Sequence, residues 1–371
     1  MAKFNLVPEI YVDSCIHRVY DSYSNCRIFI VCDSFLVENP VARKIVKKLR
    51  EQNEVMLFSD VVPDPPLPVV IDCVKKMIQF FPNILVAIGG GSAIDTAKAS
   101  KYFSQKISEN IIEDFIVAPS TSGSGSEVTS FAVVTDSEEG KKYPLIDDSL
   151  LPTKVTLIPQ LVCSCPSKTT AYSGLDVLTH ALEALVAKGA NGFTDPLAVR
   201  AIKLVFRDLK NCVVNPNDLK ARRNLMEAST LAGIAFQNAG LGLVHAISHQ
   251  IGGKFHLPHG LINSILLPKI VSFNSKDSKV KHKFGWMSKD MDLIPIDGAD
   301  ITGTIRLNDA IKSLTVDLGC PQNLRGCGIE PRRVLSQLDK IVDDTLDDPT
   351  YTSNPIEASR EDLVSIILSI L

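Results

Sequence analysis

The chain lacks several features that would place it at once in a broad class of protein. Its 371 residues include nine cysteines but no C-x-x-C pair, and an odd number of scattered cysteines predicts reduced thiols in a cytosolic protein. Lys and Arg number 39 against 42 Asp and Glu, so a net charge of −3 provides no basic surface for nucleic acid or anionic lipid. No apolar run reaches the roughly 18 residues of a membrane span, and the first residues lack the apolar core of a secretory signal. We therefore expect a cytoplasmic protein with no nucleic-acid partner and no membrane span.

The overall composition is that of a folded globular protein. Hydrophobic residues make up 45% and charged residues 22%, and the length suggests two domains. The first half alternates short β-rich runs with amphipathic helical patterns, which predicts parallel strands joined by right-handed crossovers. The predicted strands are RIFIVCD (27–33), EVMLFSDVV (54–62), ILVAIGG (84–90) and DFIVAPS (114–120), and the helical patterns between them cover 40–52, 69–81 and 93–105.

The spacing of the apolar residues changes after about residue 162. From there the apolar residues recur at three-to-four spacing, as in TAYSGLDVLTHALEALVAK and GLVHAISHQIGGKF, which indicates helices. We expect an α/β N-terminal domain with a Rossmann-like doubly wound sheet over residues 1–162. An all-α C-terminal domain is expected over residues 163–371.

Two loops at the ends of neighbouring predicted strands favour a nucleotide site. Gly89, Gly90, Gly91 and Ser92 follow a strand and open a helix that carries Asp95 and Lys98, so backbone N–H groups there can approach a pyrophosphate. This run is neither G-x-G-x-x-G nor a Walker loop, and alone it is equally consistent with a tight turn. The loop from Pro119 to Glu127 adds hydroxyls, among them Ser120, Thr121 and Ser124, although alone it would be read as a solvated loop. The two loops together make the nucleotide interpretation the better one.

Asp33 ends the first long predicted strand. A carboxylate at this position can accept hydrogen bonds from the ribose diol of an adenosine and would repel a 2′-phosphate, so it favours NAD over NADP. Taken as a single residue, Asp33 would more often be a turn former or a helix cap.

The histidines are unevenly placed. Only seven occur in the chain, yet four fall between residues 245 and 259. Asp176 and His180 share one face of a helix at i, i+4, His245 and His249 repeat that spacing, and His259 follows in a loop. Imidazoles with one carboxylate suit a divalent first-row metal such as iron or zinc and do not suit Mg or Ca, but the ligand types cannot choose between iron and zinc. The fourth, His256, is assigned a supporting or structural role.

These blocks, in this order and spacing, resemble the iron-containing (group III) alcohol dehydrogenases over essentially the whole chain. Within that family the chain is most similar to the propanol and ethanol dehydrogenases associated with bacterial microcompartments, in stretches such as FTDPLA, STLAGIAF and FHLPHGLIN. The matching blocks are G-G-G-S-x-x-D-x-x-K from Gly89 to Lys98, P-S-T-S-G-S-G-S-E from Pro119, Asp176-x-x-x-His180, His245-x-x-x-His249 and Pro258-His259-Gly260-x-x-Asn263.

The resemblance implies the fold shared with dehydroquinate synthase and an NAD-dependent alcohol dehydrogenase that uses Fe²⁺, or alternatively zinc. It also implies an aldehyde reductase acting on propanal or acetaldehyde, assembled as a homodimer or higher homo-oligomer, with microcompartment shell or enzyme partners. His249 would relay a proton beside a metal held by Asp176, His180, His245 and His259. NAD would be bound by Asp33, Asp64, Gly89, Gly90, Gly91, Ser92, Asp95, Ser120, Thr121, Ser124 and Lys142.

Three other functions compete with this one. A zinc-dependent glycerol dehydrogenase and a lyase similar to dehydroquinate synthase resemble the same architecture. The lyase would need several basic residues for an anionic substrate, whereas Lys254 is the only obvious base near the metal blocks. A non-catalytic nucleotide-binding module with a structural metal would have four protein ligands and would not need the additional His249.

Overall fold

The computed structural model describes residues 4–12, 16–136 and 141–371. They form two compact units. The sheet unit contains the described part of Asn5–Pro166 together with Pro216–Gly233, and the helical unit contains Phe4, Ser167–Asn215 and Ile234–Leu371. The predicted assignment of NAD binding to residues 1–162 and metal binding to residues 163–371 stays a prediction.

The sheet unit is built on six parallel strands in the order β1-β8-β5-β4-β2-β3. These strands are β1 (Glu9–Val12), β2 (Arg27–Asp33), β3 (Glu54–Val61), β4 (Ile84–Gly89), β5 (Asp114–Pro119) and β8 (Lys154–Leu157). The helices of this unit are α1 (Ile16–Asp21), α2 (Pro40–Arg50), α3 (Leu67–Phe80), α4 (Gly91–Ile107) and α5 (Pro159–Val162). An antiparallel pair, β6 (Phe131–Asp136) and β7 (Lys141–Ile146), lies outside the main sheet.

The central strands are apolar because both faces of the sheet are covered. In β4, Val86 and Ile88 pack into the hydrophobic cluster on one face, while Leu85 and Ala87 pack into the cluster on the other. A parallel sheet with helices on both faces produces such unbroken apolar strands. The predicted doubly wound sheet is confirmed, and the predicted strands from residue 27 to residue 120 correspond to β2, β3, β4 and β5.

The helical unit confirms the predicted change from alternating strands and helices to helices alone. Its helices are α6 (Ser167–Val186), α7 (Thr194–Val214), α9 (Leu243–Phe255), α10 (His259–Asn274), α11 (Ser278–Asp290), α12 (Asp300–Asp317), α13 (Pro331–Leu335), α14 (Leu338–Leu346) and α15 (Arg360–Leu368). The remaining helix, α8 (Leu219–Ala239), begins in the sheet unit and ends in the helical unit. Among the described residues no single helix is long and apolar enough to cross a membrane. Helices α8 and α9 reach the length and apolar composition of a span only when they are taken together, and the chain is bent between them.

Candidate active site

The four predicted metal ligands come together in the helical unit. Helix α6 directs Asp176 and His180 to one side, α9 contributes His245 from its first turn, and His259 is the first residue of α10. The Oδ1 atom of Asp176 lies 3.8 Å from Nε2 of His180, 3.8 Å from Nε2 of His245 and 3.6 Å from Nε2 of His259. One potential ligand atom from each of Asp176, His180 and His245 lies within 4.8 Å of the others. Three imidazoles therefore surround one carboxylate.

The close approach of α10 to α6 depends on a glycine. A Cβ atom at Gly260 would lie 2.1 Å from the carbonyl oxygen of Tyr172 and 3.2 Å from Cβ of Asp176. Any larger residue would collide with the backbone of α6, one turn before Asp176. The glycine of the P-H-G sequence thus allows His259 to reach the carboxylate.

The protonation states of these groups suit metal binding. Burial lowers the pKa of His245 to about 4 and the pKa of His259 well below its ordinary value, so both imidazoles are neutral at pH 7. Burial alone would raise the pKa of Asp176, but the imidazoles of His180 and His259 hold it below its ordinary value. Metal ligation requires neutral imidazole and ionised carboxylate. The donor set of three nitrogens and one carboxylate therefore fits a divalent first-row metal.

Asn263 supports the predicted ligands. Its Nδ2 donates to Oδ1 of Asp176 at 2.7 Å and lies 3.1 Å from Nε2 of His259. The residue is fully buried one turn after His259 on α10. Asn263 is part of the motif from Pro258, but its spacing alone did not predict this contact.

His249 differs from the four ligands in its hydrogen-bond partner, while its exposure is similar to that of His259. Its side chain is 40% exposed, and Nδ1 lies 2.9 Å from Oδ2 of Asp348. The buried Asp348 is itself fixed, because its Oδ1 accepts from the backbone N–H and the hydroxyl of Thr350. Burial disfavours ionisation of Asp348, but the hydrogen bond to His249 holds its pKa below the ordinary value. His249 is thus oriented by a carboxylate, and its ring stacks on that of His259 at a centroid distance of 5.3 Å.

Two other residues near these motifs have defined places. His256 ends α9 in the left-handed conformation, with φ of 53°, and is exposed, which agrees with the structural role expected for it. Phe236 is buried and stacks on the ring of His180 at 4.5 Å. Sequence reasoning missed Asp348, which lies 99 residues from His249 and has no local motif.

In the sheet unit, the glycine loop lies at the carboxyl end of β4. The backbone N–H of Gly90 donates to Oδ2 of Asp33 at 2.8 Å, which ties the end of β2 to the loop. A Cβ at Gly89 would lie 2.4 Å from Cβ of Ala93 and 2.6 Å from the same carboxylate oxygen, so only glycine fits there. Helix α4 begins at Gly91, two residues earlier than the sequence pattern indicated. Its first turn offers backbone N–H groups that can bind an anion.

The second predicted loop lies against the first. A Cβ at Gly90 would be 3.3 Å from the side chain of Thr121, and one at Gly91 would be 3.1 Å from Oγ of Ser124. Thr121 and Ser124 are partly exposed, whereas Ser120 is buried and its hydroxyl has no hydrogen-bond partner among the described residues. The two loops that the sequence singled out are therefore neighbours.

The predicted cofactor residues outside the two loops, Asp64 and Lys142, lie close to Ser92 of the glycine loop. The backbone N–H of Asp64 donates to Oγ of Ser92 at 3.3 Å, and the ammonium of Lys142 pairs with the carboxylate of Asp64 at 2.5 Å. Asp64, Ser92 and Lys142 thus form one polar group beside the first turn of α4.

Asp95 and Lys98 hold the segment that follows the second loop. Asp95 accepts from the hydroxyl of Ser126 at 2.7 Å and from the N–H of Val133 at 3.1 Å, and burial raises its pKa. The fully buried ammonium of Lys98 donates to the carbonyls of Thr129 and Phe131 at 2.7 and 2.8 Å. Burial lowers the pKa of Lys98 to about 8. Both side chains therefore act in this structure as supports of the 126–133 segment.

Comparison with known proteins decides the family. Residues 9–159 match the model described as iron-containing alcohol dehydrogenase, and residues 170–371 match the C-terminal model of the Fe-containing alcohol dehydrogenase family. The chain belongs to the iron-containing alcohol dehydrogenase family. The prediction drawn from the motif blocks is confirmed, together with the predicted fold class.

One curated protein and two solved structures match this chain over all or nearly all of its length. A 1-propanol dehydrogenase of Salmonella typhimurium is 38% identical over 372 residues, covering 100% of both chains. The solved iron-containing alcohol dehydrogenase of Thermococcus thioreducens has a TM-score of 0.88 at 29% identity and covers 99% of both chains. A sulfoacetaldehyde reductase from Bifidobacterium kashiwanohense, solved with NAD⁺, has a TM-score of 0.87 at 25% identity and covers 100% of this chain and 98% of its own. This protein is thus an oxidoreductase, as predicted, and its family description names iron, which the three imidazoles and the Asp176 carboxylate fit.

Proposed function

We propose that the protein interconverts a short-chain primary alcohol and its aldehyde, 1-propanol and propanal or ethanol and acetaldehyde, and works mainly as an NADH-dependent aldehyde reductase. The observation that carries this proposal is the convergence of three imidazoles on the Asp176 carboxylate, with a fourth, separately oriented imidazole at His249 beside them. The similarity to a 1-propanol dehydrogenase supports the choice of a short primary alcohol.

We assign the metal to Asp176, His180, His245 and His259. A divalent metal bound there would lower the pKa of a substrate hydroxyl or polarise an aldehyde carbonyl. Beside these four side chains, Phe236 stacks on His180 and Asn263 donates to the Asp176 carboxylate.

His249 is assigned the proton transfer. Asp348 accepts a hydrogen bond at Nδ1, which places the ring proton on that nitrogen and leaves Nε2 to accept a proton. An imidazole can both take and return a proton, which suits it to proton transfer. The partial exposure of His249 gives it access to solvent.

The sheet unit is assigned the dinucleotide. The first turn of α4 and the Gly89–Ser92 loop would hold the pyrophosphate, and Asp33 would bind the adenosine ribose and exclude a 2′-phosphate. Thr121, Ser124 and the Asp64–Lys142 pair lie next to that loop and would complete the site. Ser120 and Asp95 would act from beneath it, since Ser120 is buried and Asp95 is bonded to Ser126.

We also propose a homodimer or higher homo-oligomer in the cytoplasm, packaged in a bacterial microcompartment. The support is the resemblance of FTDPLA, STLAGIAF and FHLPHGLIN to microcompartment alcohol dehydrogenases. Light scattering of the purified protein tests the oligomer, and a fluorescent fusion expressed with and without shell proteins tests the packaging.

The decisive experiment combines metal analysis with NADH oxidation in anaerobically purified protein. Propanal and acetaldehyde should be reduced, while glycolaldehyde and dihydroxyacetone should be poorer substrates. Activity confined to dihydroxyacetone with zinc bound would instead indicate a glycerol dehydrogenase. No oxidation of NADH with any carbonyl compound, despite a filled metal site, would refute the proposal.

Two histidine variants test the division of roles. His259→Ala should lose the metal, because it removes a ligand. His249→Ala and Asp348→Asn should keep the metal but lose about 100- to 10,000-fold in kcat, the range for a positioned acid or base. Metal content is measured by mass spectrometry, and equal metal loss in His249→Ala and His259→Ala would contradict the assignment.

A further inference from the structure

Helix α6 carries a third acidic or imidazole side chain on the face that presents Asp176 and His180. Glu183 follows His180 by three residues and Asp176 by seven, and its side chain is only 3% exposed. We propose that Glu183 is a positioning residue that fixes the tautomer and orientation of His245, so that Nε2 of His245 is the nitrogen available to the metal. This inference rests on the metal function proposed above.

The carboxylate of Glu183 is fully engaged by the start of α9. Its Oε2 accepts from Nδ1 of His245 at 2.6 Å and from the backbone N–H of Gly242 at 3.0 Å. Its Oε1 accepts from the backbone N–H of Val244 at 2.7 Å. Gly242 is the residue that precedes the first turn of the helix, and the start of a helix favours a negative charge.

These contacts determine which ring nitrogen carries the proton. A carboxylate that accepts at Nδ1 requires the His245 proton to be on Nδ1, and the lone pair is then on Nε2. That Nε2 atom is the one that lies 3.8 Å from Oδ1 of Asp176. A carboxylate that bonds the second nitrogen of a ligating histidine is a recurrent means of orienting the ring and raising its basicity.

The same carboxylate sets the position of the ring along the helix. Because Glu183 binds Gly242, Val244 and His245 together, it joins the first turn of α9 to the helix that carries Asp176 and His180. A Cβ at Gly242 would lie 3.0 Å from Oε1 of Glu183, so a side chain there would push the carboxylate away. Three of the four predicted ligands are thus placed relative to one another through Glu183.

The alternative is that Glu183 only caps the start of α9, and Asn354 provides a matched control for that role. Asn354 binds the same turn, since its Oδ1 accepts from the N–H of Leu243 at 3.2 Å, and it is equally buried. Among the described residues the Asn354 side chain forms hydrogen bonds with Leu243, Asn274 and Ile356, and none of them is a predicted ligand. Asn354→Ala therefore removes a cap of α9 without removing the partner of His245.

The test uses Glu183→Gln in the full-length protein, with native metal removed by a chelator. Glutamine lacks the negative charge that favours a proton on Nδ1, and it can accept through only one of its two terminal atoms. The preference of His245 for the Nδ1–H form should therefore weaken in favour of Nε2–H, the form that blocks ligation. We expect Zn²⁺ and Co²⁺ dissociation constants, measured by competition with a chromophoric chelator, to rise about 10- to 100-fold. Asn354→Ala should lower the melting temperature of the metal-free protein but leave these constants within about threefold of the wild-type values.

Two further readouts separate the outcomes. Imidazole ¹⁵N chemical shifts of the metal-free protein should show His245 protonated at Nδ1 in the wild type and to a larger extent at Nε2 in Glu183→Gln. Glu183→Asp, which keeps a carboxylate, should recover part of the metal affinity even if Glu183→Gln folds poorly. Wild-type protein that binds no stoichiometric metal would refute the proposed function itself, whereas wild-type metal affinity in Glu183→Gln would refute only the role of Glu183.

Discussion

Gly260→Ala is the substitution for which the structure gives the most direct magnitude. The added Cβ would start 2.1 Å from the carbonyl oxygen of Tyr172, and ordinary contact begins at 3.4 Å, so α10 and α6 must separate by about 1.3 Å at this point. Metal–ligand distances hold to about 0.2 Å. A movement of this size at the residue after His259 therefore separates His259 from Asp176, which are now 3.6 Å apart.

The expected result has two parts. Overpacking of this kind costs about 1–3 kcal/mol, so the metal-free variant should melt at a lower temperature than the wild type. Metal affinity should fall by about 10- to 100-fold or more, because one ligand is displaced. Thermal unfolding with and without added Zn²⁺, together with chelator competition, measures both effects.

Gly253→Ala is the matched control. Gly253 lies within α9, and a Cβ there would have no neighbour within 4 Å. Alanine should stabilise the helix by up to about 1 kcal/mol and leave metal binding unchanged. If Gly260→Ala bound metal as tightly as Gly253→Ala, the argument that backbone proximity places His259 would be wrong.

The remaining predictions concern the sheet unit. Asp33→Ser should raise kcat/KM for NADPH relative to NADH by about tenfold or more, because the carboxylate that repels a 2′-phosphate is gone, and an unchanged ratio in steady-state assays would count against that role. Burial holds the pKa of Lys98 at about 8, compared with 10.5 for the unperturbed side chain. The unfolded chain therefore binds more protons between these values, and stability rises with pH across that window. The difference of 2.5 pKa units corresponds to about 3 kcal/mol in the free energy of unfolding. Between pH 7 and pH 10.5 the stability of the wild type should therefore increase by about 3 kcal/mol relative to that of Lys98→Met. Thermal unfolding of both proteins over this range measures the gain, and a difference independent of pH would contradict it.

The parts of the fold that the sequence predicted are those with strong local periodicity. The interiors of strands β2, β4 and β5 are continuous apolar runs because both faces of these strands are buried, and this makes the strands recognisable in the sequence. The four-residue strands β1 and β8 were missed, since EIYV and KVTL are too short to show any period. Their pairing is set by long-range contacts that no local pattern encodes.

The contacts of the site that depend on local helical spacing could be predicted, and those that depend on long-range packing could not. The spacing i, i+4 placed Asp176 with His180 on one helical face, and the structure confirms that the two side chains are neighbours. Glu183 lies on the same face and could have been identified by extending that spacing by one turn. The contact between His249 and Asp348 could not have been predicted, because it depends on how the chain returns to α9 after 99 residues.

The distribution of the metal ligands along the chain constrains when the protein can acquire its metal. During synthesis Asp176 and His180 emerge together, but a carboxylate and one imidazole make only a weak site. His245 and His259 follow more than sixty residues later, and they reach the first pair only after α9 and α10 have packed on α6. Closing such a long loop is slow compared with forming a helix. The four ligands therefore come together only once α6, α9 and α10 have packed, and we expect protein made under metal starvation to accumulate as a folded precursor that gains activity when metal is restored.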